Sequence, residues 1–302
     1  MCFKRKEYQQ CIDYYTKSLD LNSMQLDVWY RLAFAALDIK NYELSAKAYR
    51  RVVHFESNSF EAWNNLSKVY IKLKQKQRAW KTLQEALKCN YDEWRIWENY
   101  IAVSVDIGAF GDAIQAWHRL IDLKGKYLDD QILEILVLAV CDNLNDVNSE
   151  PSSKLKPKLR QLLGRITSTS GGSYKSWKLY GQLIKNDQNI DYEKLINCHQ
   201  KCHQSALQIT KWENHPEKII FLLEHCLWLA DQYYHCSMNI NDVTRSKQIL
   251  GTCKMAINSV LTIVKKQHFL WNNETCDKKD EINSLITNCQ KKIDFLIEKL
   301  NL

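Results

Sequence analysis

A chain of 302 residues with 45% hydrophobic residues and ten tryptophans is long enough for two ordinary domains or one long repeat stack, and too apolar to be disordered. No apolar run approaches membrane-spanning length and the start (MCFKRKEYQQ) has no signal-peptide stretch, while a net charge of +7 permits acidic partners without requiring them. The eleven cysteines are scattered and odd in number, which reads as reduced packing thiols of the cytosol or nucleus rather than a disulfide framework.

The first predicted element begins in mid-repeat. Tyr8, Cys11, Tyr15 and Ser18 stand 34 residues before Tyr42, Ser45, Tyr49 and Val52, so residues 1–25 are expected to hold the second helix of a truncated unit. Terminal repeats need a polar cap, and the expectation is a piece of a longer protein or a shortened gene model. Residues 26–124 then hold three full units, marked by Trp29, Trp63 and Trp97 at a fixed period of 34. In the first, Trp29 is followed by Leu32, Ala33 and Ala36, then by Tyr42, Ser45, Tyr49 and Val52. The apolar positions fall at helical spacing and change phase at Lys40-Asn41, Lys74-Gln75 and Gly108-Ala109, so each unit is two helices of about 14 residues, a length that is marginal alone. Stacking supplies the missing core. Small residues (Ala33, Ser67, Ser45, Ala79, Ala113) allow close helix crossings, with Ile101 as the exception, and the aromatic stripe is expected to be core.

Trp, Leu, small and Tyr, then Ala, aromatic and small at these offsets resemble the tetratricopeptide repeat. The stretch from Glu61 to Tyr100 resembles the eukaryotic family of tetratricopeptide repeat protein 27 in its C-terminal part, and the likeness continues to about Val140. Members of that family carry a large region upstream. The resemblance implies an all-α fold: a right-handed α-solenoid of tetratricopeptide helix-turn-helix repeats with a divergent helical C-terminal segment. Ser57 and Tyr91 stand where such a repeat often has its closing proline.

A fourth repeat is expected to start in residues 125–142, with Gln131 where the tryptophan would recur and Ile132, Leu133, Ile135, Leu136 and Leu138 in a strongly apolar helix. That helix is either more deeply covered than its predecessors or the end of the regular stack. Residues 143–173 read as loops, Asn143 to Ser153 and Thr167 to Ser173, around a short basic helix from Lys154 to Ile166; both loops are candidate hinges or cleavage sites. Divergent helical repeats are expected over residues 174–302. Trp177, Tyr180, Gly181 and Ile184 renew the pattern, and Pro216 starts a helix that reaches about His235. A further helix covers Val243 to Val264. The final stripe from Ile282 to Leu300 is amphipathic, suited to a capping helix or to pairing with a partner helix.

The candidate site is a second row on each first helix, two before and two, five and nine after the tryptophan. It reads Asp27, Arg31, Phe34, Asp38; Glu61, Asn65, Lys68, Lys72; Arg95, Asn99, Ala102, Asp106. Arg31, Phe34, Asn65, Lys68, Lys72, Arg95 and Asn99 are the residues expected to bind a partner, since Arg, Lys and Asn donate to carboxylates and peptide carbonyls. In tetratricopeptide proteins the corresponding row lines a concave peptide-holding groove; a solvated face without ligand is the alternative. The two-carboxylate clamp of chaperone-binding members needs Lys, Asn, Asn, Lys and Arg. Asn65 fits and Arg95 replaces one base, but Tyr30, Phe34 and Asn99 do not fit, so direct capture of a chaperone tail is not expected.

The run Cys198-His199-Gln200-Lys201-Cys202-His203 resembles a metal site but lacks a paired C-x2-C signature; helix packing is the expectation, with no metal and no cofactor. Lys154, Lys156, Lys158 and Arg160 form a basic patch without interleaved aromatics, so nucleic acid is not an expected partner. No phosphate loop, nucleophile elbow or zinc-protease motif occurs. The reading is a non-enzymatic protein–protein interaction scaffold, cytoplasmic and also nuclear. The family resemblance adds chaperone machinery as a partner, in assembly of a large complex such as a spliceosomal ribonucleoprotein. The rival is an RNA-processing helical repeat of half-tetratricopeptide type.

Overall fold

The computed structural model describes residues 8–169, 171–209, 211–267 and 278–301; the first seven residues, read above as part of the truncated unit, lie outside them. Among the described residues the fold is all-α, with an isolated bridge between Asn145 and Pro151 as the extended pairing. The chain forms two compact units, Met1–Leu162 and Leu163–Leu302.

In the first unit α1 (Tyr8–Leu21) is followed by three helix pairs. They are α2 (Leu26–Asp38) with α3 (Tyr42–Phe55), α4 (Phe60–Lys72) with α5 (Lys76–Cys89), and α6 (Trp94–Asp106) with α7 (Phe110–Lys124). Each first helix ends the same way. Lys40, Lys74 and Gly108 adopt left-handed backbone (φ 64°, 59° and 82°). The next amide reaches back to a carbonyl five residues earlier: Asn41 to Ala36 at 2.8 Å, Gln75 to Tyr70 at 2.9 Å and Ala109 to Ser104 at 2.8 Å. This closure satisfies carbonyls that a helix end leaves without partners. Small residues meet across the pair, as Ser45 Oγ donates to the carbonyl of Ala33 at 2.8 Å. Tyr49, Leu83 and Trp117, at one repeat position, fill the space beside them with no exposure. Ile101 is fully buried as well.

The tryptophans occupy equivalent seats. The indole Nε1–H of Trp29 donates to the Ser23 carbonyl, Trp63 to Ser57 and Trp97 to Tyr91, all at 2.8 Å and all six residues back. They are not uniformly core. Trp97 is 7% exposed, whereas Trp29 and Trp63 are only partly buried: the Tyr91 ring packs edge-on against Trp97 at 5.0 Å, and Ser23 and Ser57 stand at the equivalent positions.

After α7, α8 (Asp130–Cys141) ends in the same closure, with Asn143 left-handed and Leu144 N bonded to the Ala139 carbonyl at 2.9 Å. That turn falls 35 residues after Gly108, so Ile132 rather than Gln131 is in register with Trp97. Nor is the helix covered all round: Ile135 and Leu138 are exposed. The segment after it is not a loose hinge. The Asp146 carboxylate accepts the Asn148 and Glu150 amides at 2.8 Å, and Val147 N bonds the Gly108 carbonyl at 3.1 Å, pinning the segment to the α6–α7 turn. A 3-10 turn, Ser152–Leu155, leads into α9 (Lys156–Thr169). This basic helix outruns its expected end, since Thr167 and Thr169 tie their hydroxyls to carbonyls four residues back, at 2.8 Å each.

The second unit contains α10 (Tyr174–Lys185), α11 (Tyr192–Leu207), α12 (Pro216–Met238), α13 (Val243–Lys266) and α14 (Lys279–Asn301). Trp177 repeats the seat of the earlier tryptophans, donating to the Gly171 carbonyl at 3.0 Å. Gly172 is required there: φ is +68° and a Cβ would lie 2.5 Å from the Trp177 Nε1. The stripe of α14 (Ile282, Ile286, Cys289, Ile293, Leu296) is buried, and the helix packs on α12 and α13.

Three histidines sit in this second core. His199 and His203 of α11 and His225 of α12 are at most 7% exposed, and none of their ring nitrogens has a hydrogen-bond partner. His203 stacks on His225 at 5.4 Å, His225 stacks on Trp228 at 5.4 Å and abuts Tyr174 at 5.1 Å, and His199 meets the Trp228 ring edge-on at 5.2 Å. Burial holds them neutral, lowering His199 to about 4 and His225 to about 3, with Lys185 helping at His199 and His203 and Lys178 at His225. Burial lowers His203 too.

Two outcomes follow from this architecture. Lys74→Gly removes a Cβ from left-handed backbone and should raise stability by about 0.5–1 kcal/mol, while the β-branched Lys74→Val should lower it. Matched urea melts check this; equal midpoints would refute a left-handed turn. The histidines carry a pH dependence. Their folded affinities for protons lie below the unfolded value of 6.5, so below that pH the unfolded chain binds protons the native core refuses. Stability should therefore fall from about pH 6.5 towards pH 4, by up to about 1.4 kcal/mol per pH unit for each histidine. Unfolding midpoints across that range should show it, and His225→Phe, which keeps the stack, should flatten the slope.

Candidate binding surface

The row proposed from spacing lies on one exposed face of three successive first helices. Asp27, Arg31, Phe34 and Asp38 of α2 are exposed, as are Glu61, Lys68 and Lys72 of α4 and Arg95, Ala102 and Asp106 of α6. Phe34 is 42% exposed, which places a large apolar ring among charges. Asn65 and Asn99 are half-buried, and each reaches across to the preceding repeat. Asn65 Nδ2 donates to the Tyr30 hydroxyl at 3.2 Å, and Asn99 Nδ2 donates to Asn64 Oδ1 at 2.9 Å. Each asparagine thus spends one donor fixing the row and keeps a second donor and its carbonyl for a guest.

These cross-repeat bonds bring in Tyr30 and Asn64, which the spacing argument passed over. Burial pushes the Tyr30 hydroxyl above its ordinary range, with the Glu61 charge adding to the shift, so it stays protonated. Trp94 was passed over too, being three residues out of phase with the repeat tryptophans. Its ring lies under two cations, with the Arg95 guanidinium 5.2 Å and the Lys124 ammonium 4.0 Å from the ring centre. Lys124 is also bonded to Glu98 at 2.7 Å, and the Arg95 guanidinium comes within 3.9 Å of Glu93. At the other end of the row Arg31, Lys68 and Lys72 have no ion-pair partner among the described residues. The face can therefore take hydrogen-bond acceptors and carboxylates at Arg31, Lys68 and Lys72, and an apolar group at Phe34.

On α11, Cys198 and Cys202 are spaced to share one helix face and His199 and His203 the next, and both faces serve the helix packing expected of the run. Cys198, His199, Cys202 and His203 are all buried, because α11 packs on both α10 and α12. Burial pushes the thiols up, Cys198 to about 11 and Cys202 to about 12, so neither is a ready thiolate ligand. Among the described residues no three His, Cys, Asp or Glu side chains converge as a metal site, and no helix is long and apolar enough to cross a membrane.

Comparison with known proteins agrees with the geometry. Residues 26–57 and 60–92 match the model of the tetratricopeptide repeat. The chain is 30% identical over 277 residues to tetratricopeptide repeat-containing protein trd-1 of Caenorhabditis elegans, covering 86% of this chain and 36% of that protein. It is 28% identical over 255 residues to the tetratricopeptide repeat protein 27 homolog of Dictyostelium discoideum, covering 83% of this chain and 30% of the relative. The chain thus spans about a third of the length of these relatives. Among solved structures, the C-terminal part of a tetratricopeptide repeat-containing protein from Cytophaga hutchinsonii matches 93% of this chain and 96% of its own, at a TM-score of 0.51 and 14% identity, which is a likeness of fold. Tetratricopeptide repeat proteins are generally non-enzymatic scaffolds for protein–protein interaction. With their period, their equivalent tryptophan seats and these matches, residues 26–92 are tetratricopeptide repeats, and the chain is similar along most of its length to tetratricopeptide repeat proteins.

Proposed function

We propose that the first-helix row of α2, α4 and α6 holds an extended segment or a helix of a partner protein. The observation that supports this is the pair of cross-repeat bonds, Asn65 to Tyr30 and Asn99 to Asn64. They set the spacing between neighbouring first helices before any guest arrives, which lowers the ordering cost of binding. The guest meets carboxylate- and carbonyl-binding groups at Arg31, Lys68, Lys72 and Arg95, the asparagine amides, and an apolar seat at Phe34.

This recognition differs from a chaperone-tail clamp. Asn65, the residue that fits the clamp, gives a donor to Tyr30, and Tyr30 itself stands where the clamp needs a lysine. A link to chaperone machinery would run through other surfaces. The resemblance to the protein 27 family supports assembly of a large complex, such as a spliceosomal ribonucleoprotein, as the setting. Cys89, Cys198, Cys202, Cys226, Cys236, Cys253 and Cys289 are thiols outside any disulfide, which suits a reducing compartment, the cytoplasm and also the nucleus.

The test is a combined charge reversal, Arg31→Glu, Lys68→Glu and Arg95→Glu, in the full-length protein. All three side chains are exposed, so helical content should not change. Partners identified by affinity purification and mass spectrometry should fall by about tenfold or more. Undiminished recovery of the same partners would remove this row as the binding site.

A further inference from the structure

Two grooves open on the second-helix side of the first unit, at equivalent places in the repeat. The nine positions that line the smaller, of 270 Å³, recur 68 residues later in the larger, of 320 Å³, and three of the nine keep the same residue. Leu19, Trp29 and Arg51 line the first, and Leu87, Trp97 and Arg119 line the second. Each groove lies at a seam, where the tryptophan of one repeat meets the second helix of the repeat before. The indole N–H is already bonded to the turn carbonyl in both, so the indole itself offers hydrocarbon, inside a rim that carries Asp20, Lys47 and Arg51 in the smaller groove and Lys88, Asp112 and Arg119 in the larger. Such a groove suits one apolar side chain.

The charge of the first unit is divided by face. Second helices α1, α3, α5 and α7 together carry ten lysines and arginines against six acids, and seven of those bases, all exposed, lie on α3 and α5 against Glu43 and Glu85. First helices α2, α4 and α6 together carry four bases against five acids. The excess positive charge therefore lies on the second-helix side. At the seam between the two grooves, Arg50, Arg78 and Lys81 occupy the repeat positions that line the grooves on either side.

We propose that this second-helix face docks an acidic amphipathic segment of a partner protein. Its apolar side chains enter the two grooves, and its carboxylates lie over the cations of α3 and α5. The larger groove favours protein over nucleic acid, because Trp97 is 7% exposed and offers no open ring face on which a base stacks; Trp29 in the smaller groove is more exposed, so an oligonucleotide serves as the competing probe. The surface is separate from the first-helix row, so the two readings stand or fall independently.

The test is fluorescence anisotropy on the full chain. The probes are a labelled peptide in which Asp and Glu alternate with Leu and Trp, its twin with Lys at every acid, and a single-stranded oligonucleotide. The acidic peptide should bind saturably and more weakly as salt rises, and the lysine twin should not bind. Reversing Lys47, Arg51, Lys81 and Lys88 to Glu should weaken it by about tenfold or more, while the first-helix reversal leaves it unchanged. Gln115→Trp, at an exposed position of the larger groove, should weaken it without altering a charged residue, which separates groove filling from charge. Circular dichroism confirms that each variant is folded. The proposal is overturned if the acidic peptide shows no saturable binding, or if the second-helix variants bind it as well as the parent. It is equally overturned if only the first-helix reversal abolishes binding, or if the oligonucleotide displaces the peptide from this face.

Discussion

One hydrogen bond per repeat holds this molecule in register: an indole N–H given to the backbone carbonyl six residues upstream. The carbonyl belongs to the turn that enters the repeat, so the bond fixes how far that turn stands from the first helix. The body of the same ring lies against the second helix of the preceding repeat, as the residues shared with Trp29 and Trp97 in the seam grooves show. A single side chain thereby sets both the entry of one unit and its seat on the last. Because the bond length is the same at Trp29, Trp63 and Trp97 and nearly so at Trp177, the step is repeated rather than reinvented. Phenylalanine would supply the bulk but leave the turn carbonyl without this donor.

The exit from each first helix is equally constrained, by backbone alone. Gly108 meets the left-handed turn without cost, and Asn143 is one of the side chains that tolerate it. Lys40 and Lys74 adopt it against their own preference. Local sequence at those two positions is overruled by the core, since Ala33 and Ser45 can touch only if the chain reverses in so few residues. The Asp146 segment continues the logic: an insertion that would otherwise swing free is fastened to the very turn, at Gly108, that closes the repeat before it.

The repeat was legible in the sequence because its causes are local. A tryptophan, a buried residue four later (small in two of the three units) and a left-handed turn seven after that recur with the geometry they produce, and a period of 34 carries the signal unaided. What stayed hidden depended on neighbours distant along the chain. Tyr30 and Asn64 look like filler until the following repeat presents Asn65 and Asn99 to them. The partial exposure of Trp29 and Trp63 is hidden from a core reading of the stripe because it depends on the residue six before, where Tyr91 covers Trp97 but Ser23 and Ser57 leave the ring more open. The register of α8 slipped by one residue for a related reason: Gln131 was counted from the previous tryptophan, whereas the turn at Asn143 sets the helix. Spacing alone also split the cysteines and histidines of α11 between two faces, and only the coverage of that helix by α10 and α12 shows both faces to be interior.

Burial of that kind explains how the second unit can look catalytic and be structural. Thiols react as thiolates, and here burial outweighs Lys194 and Lys178 and keeps Cys198 and Cys202 protonated, while the neutral imidazoles are packed away from solvent. His199 takes the place in its helix that Tyr49 has in the first repeat, counting from the start of α11 and α3. It faces Gly181, whose missing side chain leaves room for the ring, 3.2 Å from where a Cβ would stand. The same argument separates the two surfaces of the first unit. Cross-repeat asparagine bonds tie the first-helix row to the spacing of the stack, so a substitution that alters the stack alters the row. The lysines and arginines of α3 and α5 contribute little to the core and can vary without disturbing it. A scaffold built this way can keep one face coupled to its own geometry and leave the other free to acquire charge for a partner.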